Sequence, residues 1–155
     1  MSKDRNRVLV VDDDLGMLRA VQRLLRQLDY EPILFSSAQA FKSYTEFEKA
    51  ACVILDINLN DGSGIELRHH LNDAGVAVPV IYISGNEDLA VRRAALNSGC
   101  IAFLNKPFST QELIEMLKKA STVAIGSVNL TRWGSDWLGS FSAREEMGGP
   151  RDRTY

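Results

Sequence analysis

Cys52-Val-Ile-Leu-Asp-Ile-Asn-Leu-Asn-Asp-Gly-Ser-Gly64 joins a short apolar run to a turn. Val53, Ile54 and Leu55 are apolar, two of them are β-branched, and Asn60, Asp61 and Gly62 close the run. The stretch therefore predicts a buried strand rather than a helix. Asp56 stands at the carboxyl end of that strand. A carboxylate gains nothing from packing there, because an unpaired buried charge is expensive. The carboxyl ends of strands in open α/β sheets are, by contrast, where ligands and chemistry sit. On this stretch alone a simpler reading competes evenly, that Asp56 caps the loop, since Asp is common in turns.

A second stretch, Arg7-Val-Leu-Val-Val-Asp-Asp-Asp14, repeats the pattern. Val8 to Val11 predict another buried strand, and it too runs into carboxylates. Two parallel strands ending in acid bring Asp12, Asp13 and Asp56 together. At about 5 Å and an effective dielectric near 20, each carboxylate pair repels by roughly 3 kcal/mol. Three such pairs cost on the order of the whole stability of a small domain. The cluster therefore calls for a cation, and carboxylates with water and backbone carbonyls suit a hard ion such as Mg²⁺ or Mn²⁺. Another strand, expected from Val78 to Ile83, ends at Ser84 and offers a hydroxyl. One more, expected from Ile101 to Leu104, is followed by Asn105 and Lys106 and offers an ammonium.

Four pieces, VLVVDDD at 8–14, VILDINLNDGSG at 53–64, VIYISG at 80–85 and FLNKPF at 103–108, carry this pattern. In order and spacing they resemble the receiver domain of two-component response regulators, the CheY-like fold. One piece alone is weak; four in register are specific. The expected receiver covers residues 1–122. The DGSG turn and the Lys-Pro-Phe after the last strand are similar to receivers of the nitrogen-fixation regulator type, which precede DNA-binding domains.

Composition agrees. A chain of 155 residues is one domain by the usual prior and long enough for a substantial core. With 45% hydrophobic and 25% charged residues it has ordinary globular values. A net charge of −2 gives no general attraction for nucleic acid. Cys52 and Cys100 read as buried, reduced thiols. The apolar run after Lys3, Arg5 and Arg7 is too short for a signal peptide. The run Val76 to Ile83 contains Pro79 and is too short to span a membrane. A cytoplasmic protein is the expectation.

In chain order, Leu18, Val21, Leu25 and Leu28 recur at helical spacing and predict an amphipathic helix over about 15–28. Pro32 opens a strand, Ile33 to Phe35. Ser36 or Ser37 caps a helix expected from Ala38 to Phe47. After the central strand, Ile65, Leu67 and Leu71 mark a third helix ending near Gly75. Pro79 sits at the start of the fourth strand, a permitted place. Asn86, Glu87 and Asp88 introduce a fourth helix through Leu96, closed by Gly99. Ser109 and Glu112 form a capping box for a fifth. Five alternations imply a doubly wound, five-stranded parallel sheet with helices on both faces, an α/β flavodoxin-like fold.

The character changes in residues 123–155, a tail holding Gly, Ser and Arg. It is too short and glycine-rich for a helix-turn-helix, so no output domain and no direct nucleic acid binding are expected within this chain. Trp133, Trp137, Leu138 and Phe141 either fold back onto the receiver or dock on a partner. A remnant without function is an equal reading.

The resemblance implies a site. Asp56 is the nucleophile that takes a phosphoryl group as an aspartyl phosphate. The donor is a sensor histidine kinase or a phosphotransfer protein. Asp13 and Asp56 ligate Mg²⁺, Asp12 helps through a water, and the backbone carbonyl of Asn58 supplies another oxygen. Lys106 adds a point charge. Ser84 stands where threonine is more usual, and keeps the hydroxyl. Ser84 and Phe103 form the switch, Lys106–Pro107 is a cis bond, and the output is a phosphorylation-dependent protein partner or homodimer through the helix 4–strand 5–helix 5 face. Asp14 faces solvent and Asp61 is a turn residue. His69 and His70 are adjacent on a helix, point apart and cannot chelate one ion together. The DGSG turn has no GxxxxGK[ST] pattern and reads as loop closure.

Two other functions compete with this self-phosphorylating, otherwise non-enzymatic module. One is the receiver portion of a DNA-binding regulator whose output lies in another chain or is missing. The other is a metal-dependent phosphatase with an aspartyl nucleophile. Such phosphatases need a general acid two residues after the nucleophile, and Asn58 cannot serve as one.

Overall fold

The structure is a computed structural model that describes residues 5–85 and 88–126, the side chains of 123–126 excepted. Strands and helices alternate: β1 (Arg7–Val11), α1 (Leu15–Gln27), β2 (Glu31–Phe35), α2 (Ala38–Lys42), β3 (Ala50–Asp56), α3 (Gly64–Asp73), β4 (Val80–Ser84), α4 (Leu89–Asn97), β5 (Ala102–Asn105) and α5 (Thr110–Gly126). The five strands are parallel and lie in the order β2-β1-β3-β4-β5. The doubly wound α/β expectation is met. The strand order reverses between β1 and β3, which opens a crevice at their carboxyl ends.

The central strands β3 and β4 are buried on both faces, as a continuous apolar run requires, and β1 nearly so, whereas the edge strand β2 is only partly buried. Side chains alternate between two cores. Val8, Val10, Cys52, Ile54, Ile81, Ile83 and Leu104 meet α1 and α5 through Leu18, Val21, Leu25, Leu113 and Leu117. Leu9, Val11, Val53, Leu55, Tyr82 and Phe103 face α2, α3 and α4, contributing Phe41, Leu67, Leu71 and Ala95. Cys52 and Cys100 are buried free thiols.

The caps set where the helices begin. Asp14 accepts hydrogen bonds from the amides of Gly16 and Met17 and starts α1, a job the solvent-facing expectation missed. Ser37, Ser63 and Asp88 cap α2, α3 and α4. The Ser109–Glu112 capping box forms in both directions, at 2.8 and 3.0 Å. Asn86 and Glu87 lie outside the described residues, as do Trp133, Trp137, Leu138, Phe141 and the tail from 127 on. Helix α5 runs to Gly126, past the position 122 chosen from composition.

Helix α2 corrects the expected helix from Ala38 to Phe47. It ends at Lys42, and a 3₁₀ turn occupies Phe47–Lys49. The amides of Ser43 and Tyr44 turn back to Ala40 and Phe41, closing the helix early. The exit lets Tyr44 and Phe47 join Phe35 and Phe41 edge to face, with ring centroids 5.2–5.8 Å apart. A second difference is a small antiparallel hairpin, Asn58–Leu59 against Gly62–Ser63, inside the loop read as a plain turn.

Candidate functional site

Three carboxylates meet in the crevice. Asp12 follows β1 and is fully buried, and Asp56 ends β3 and is 3% exposed. Asp13, beside them, is half-buried. One oxygen from each lies within 4.8 Å of the others. Register explains the meeting: Val11 is paired with Leu55, so the next residues of β1 and β3 leave the sheet side by side.

Lys106 supplies the counter-charge. Its Nζ is 3.0 Å from Asp12 Oδ2 and 3.1 Å from Asp56 Oδ2. Its backbone N–H donates to the Ser84 carbonyl at 2.8 Å, which ties the lysine to the end of β4. The Lys106–Pro107 bond is cis. Burial alone would lower the Lys106 pKa; its hydrogen bonds to Asp12 and Asp56 and the charges of both acids outweigh that and hold it above the usual value. Burial, and then the charge of Asp12, push the Asp56 carboxyl up to about 6, against the opposing pull of Lys106 and the Asn58 amide.

Backbone amides organise the remaining oxygens. Asp12 Oδ1 accepts from Asp14 N at 2.9 Å, and Asp56 Oδ1 from Asn58 N at 3.1 Å. Asp13 Oδ2 accepts from Asn60 N at 2.7 Å. Gly64 lets α3 approach the Asp56 backbone, since a Cβ there would stand 2.5 Å from the Asp56 carbonyl oxygen. An oxygen-only donor set of three close acids beside an ammonium fits a small hard cation.

A profile of the response regulator receiver domain matches residues 8–118. The chain belongs to this family. The receiver is 31% identical over 124 residues to the response regulator protein TodT of Pseudomonas putida, covering 80% of this chain and 55% of that protein. It is 28% identical over 114 residues to the transcriptional regulatory protein FixJ of Rhizobium meliloti, covering 74% of this chain and 56% of that one. The chain thus spans about half the length of these curated relatives. Among solved structures, FixJ-N superimposes with a TM-score of 0.68 at 28% identity, covering 74% of this chain and 92% of that one. A receiver protein from Pseudoalteromonas atlantica gives 0.72 at 26%, covering 76% and 98%. Phospho-acceptance is the role of this receiver family.

The receiver's other expected residues are placed as follows. Ser84 is fully buried at the end of β4. Phe103 is 2% exposed on β5, beside Tyr82 at a centroid distance of 6.5 Å, with Arg92 Cζ 5.5 Å from its ring centre. Asn58 is exposed on the hairpin. His69 and His70 sit on α3, away from the acids. Asp61 sits in the turn, as read, and also accepts from the amides of Ala38 and Gln39 at the start of α2, at 2.8 and 3.0 Å. Those two bonds hold its carboxyl below the usual range. Asn60 and Asp61 were legible only as turn residues and Gly64 carried no signal, because their partners are distant in sequence and only the turn chemistry is local. No helix among the described residues is long and apolar enough to cross a membrane.

Proposed function

We propose that Asp56 is the phospho-acceptor of this receiver and that the donor is a phosphohistidine on a sensor histidine kinase or phosphotransfer protein. The observation that carries the reading is Asp56 Oδ2 at 3.1 Å from Lys106 Nζ, in a crevice shared with Asp12 and Asp13. An Asp56 oxygen attacks phosphorus, the phosphorus–nitrogen bond breaks, and the imidazole leaves with the bonding pair. Lys106 stays beside the carboxylate oxygens and balances charge as the acyl phosphate forms. Ser84, at the adjacent strand end, donates its hydroxyl to an oxygen of the attached phosphoryl group. Asp12, Asp13, Asp56 and the Asn58 backbone carbonyl would hold Mg²⁺ or Mn²⁺. When bound, that ion neutralises oxygens of the transferring group.

The module turns over no outside substrate, because Asn58 offers no acid at the place a phosphatase would need one. It works in the cytoplasm. Its output is a phosphorylation-dependent protein partner, or a second copy, on the face of α4, β5 and α5, where Leu89 is 63% exposed. Membership of a DNA-binding regulator, with the output in residues beyond this match or in another chain, is the second reading. It is favoured by the greater length of the curated relatives, among them the transcriptional regulatory protein FixJ.

The test is intact-mass spectrometry after acetyl phosphate with Mg²⁺. One added phosphoryl group is expected, absent from Asp56→Asn and metal-dependent in the parent. Undiminished labelling of Asp56→Asn would refute the assignment. Steady-state hydrolysis of a phosphate ester would overturn the non-enzymatic reading.

A further inference from the structure

We infer that the Asn60–Asp61 turn is a latch that positions the Asp13 carboxylate for its cation, with Asp61 as the positioning residue. The inference rests on the reading of Asp13 as a metal ligand and adds what holds it. The turn is gripped on both sides. Asp61 reaches across to α2 and accepts from Ala38 N and Gln39 N. The neighbouring Asn60 N–H donates to Asp13 Oδ2 at 2.7 Å.

Three observations give the turn its rigidity. The hairpin pairs Asn58 with Ser63 and Leu59 with Gly62, so Asn60 and Asp61 form its two-residue tip. Leu59 is 8% exposed and anchors one arm in the core. A Cβ at Gly62 would stand 3.2 Å from the Ala38 Cβ, so the other arm is pressed against the first residue of α2. Helix α2 already has its own cap in Ser37, which accepts from Ala40 N at 3.1 Å. Asp61 therefore does more than begin a short helix: it fixes the position of the amide next to it.

That amide matters because Asp13 is the least buried of the three acids and the one Lys106 does not contact among the described ion pairs. With Oδ2 held by Asn60 N–H, the carboxylate plane is set and Oδ1 is left for a cation. Groups that orient a metal-ligating carboxylate by hydrogen bonding typically account for 10–100-fold in metal affinity. The latch therefore couples α2, through the loop that also carries Asn58, to the affinity of the acid pocket.

The test is Mn²⁺ binding to the full chain, read from the electron paramagnetic resonance signal of free Mn²⁺, for the parent, Asp61→Ala, Asp61→Asn and Asn60→Pro. Asp61→Ala is expected to weaken binding about tenfold. Asp61→Asn, which keeps one acceptor oxygen, should fall between. Asn60→Pro deletes the donor and leaves Asp61 in place, so it should weaken binding as much as Asp61→Ala, and the double variant no more than either. Amide exchange at Asn60 should quicken in Asp61→Ala. If Asp61→Ala does not fold, Asn60→Pro decides alone. Variants that are folded and bind Mn²⁺ as the parent does would overturn the latch while leaving the metal reading intact. A parent that binds no Mn²⁺ would overturn both.

Discussion

Asp56→Asn is expected to stabilise the metal-free domain near neutral pH. Asp56 is 3% exposed and lies in a pocket with Asp12. Its carboxyl is raised from 3.8 to about 6, first by burial and then by the charge of Asp12. Because the folded pKa lies above the unfolded one, the folded state binds more protons between those values. Stability therefore falls as pH rises through this window and stays low above it. A shift of that size corresponds to about 3 kcal/mol at pH 7. The figure is already net of the attraction of Lys106. Asn removes the charge and keeps an oxygen for the Asn58 amide, but brings an NH₂ group whose desolvation costs about 1 kcal/mol. A gain of about 2 kcal/mol remains, or a rise in Tm of roughly 5–10 °C for a domain of this size.

The assay is urea unfolding of parent and variant in chelator from pH 4.5 to 8. The difference in stability should be small at pH 4.5, grow between about pH 5 and 7, and level off above. Excess Mg²⁺ should then close it, because the ion stabilises the parent by mass action and has lost a ligand in the variant. A difference that does not vary with pH, or a variant less stable than the parent at pH 7, would refute the argument that burial and Asp12 strain the Asp56 carboxylate.

Lys106→Met should lower metal-free stability at pH 7 by about 1–3 kcal/mol, because it leaves two buried acids without their counter-charge. The loss should shrink at pH 5, in the same denaturation series, and Mn²⁺ should bind more tightly once the competing ammonium is gone. Gly64→Ala should cost about 1–3 kcal/mol, since its Cβ would meet the Asp56 carbonyl oxygen at 2.5 Å and backbone must shift. A melt within experimental error of the parent would contradict it. Fluorine NMR of labelled Phe103 should give a buried ring before any phosphorylation; a solvent-exposed resting signal, moving inward only with beryllofluoride, would contradict that.

The strands and the acids were legible in the sequence because their signals are local. An apolar β-branched run that stops at a carboxylate needs no partner to be recognised, and two such runs placed Asp12, Asp13 and Asp56 before the sheet was known. Ser109 and Glu112 were legible for the same reason. The end of α2 was not, because an aromatic cluster of Phe35, Phe41, Tyr44 and Phe47 outweighs a periodicity that would have continued. Nor was Asp61, whose partners stand more than twenty residues earlier. In Asn-Asp-Gly-Ser the local chemistry announces a turn and says nothing of what the turn holds.

The burial of Phe103 bears on how the site's charge reaches the output face. Phe103 is 2% exposed, so its ring lies inward against Tyr82. Two features accommodate it. Ser84, at the end of the neighbouring strand, lacks the methyl that a threonine would carry, and Arg92 of α4 lies over the ring at 5.5 Å. An added charge of about −1.5 to −2 at Asp56 would act first on the Ser84 hydroxyl at the neighbouring strand end. Helix α4 buries Ala95 outright and packs Val91 and Leu96, partly buried, against the core. A partner that favours a displaced α4 would, by linkage, favour phosphorylation of Asp56 by the same factor.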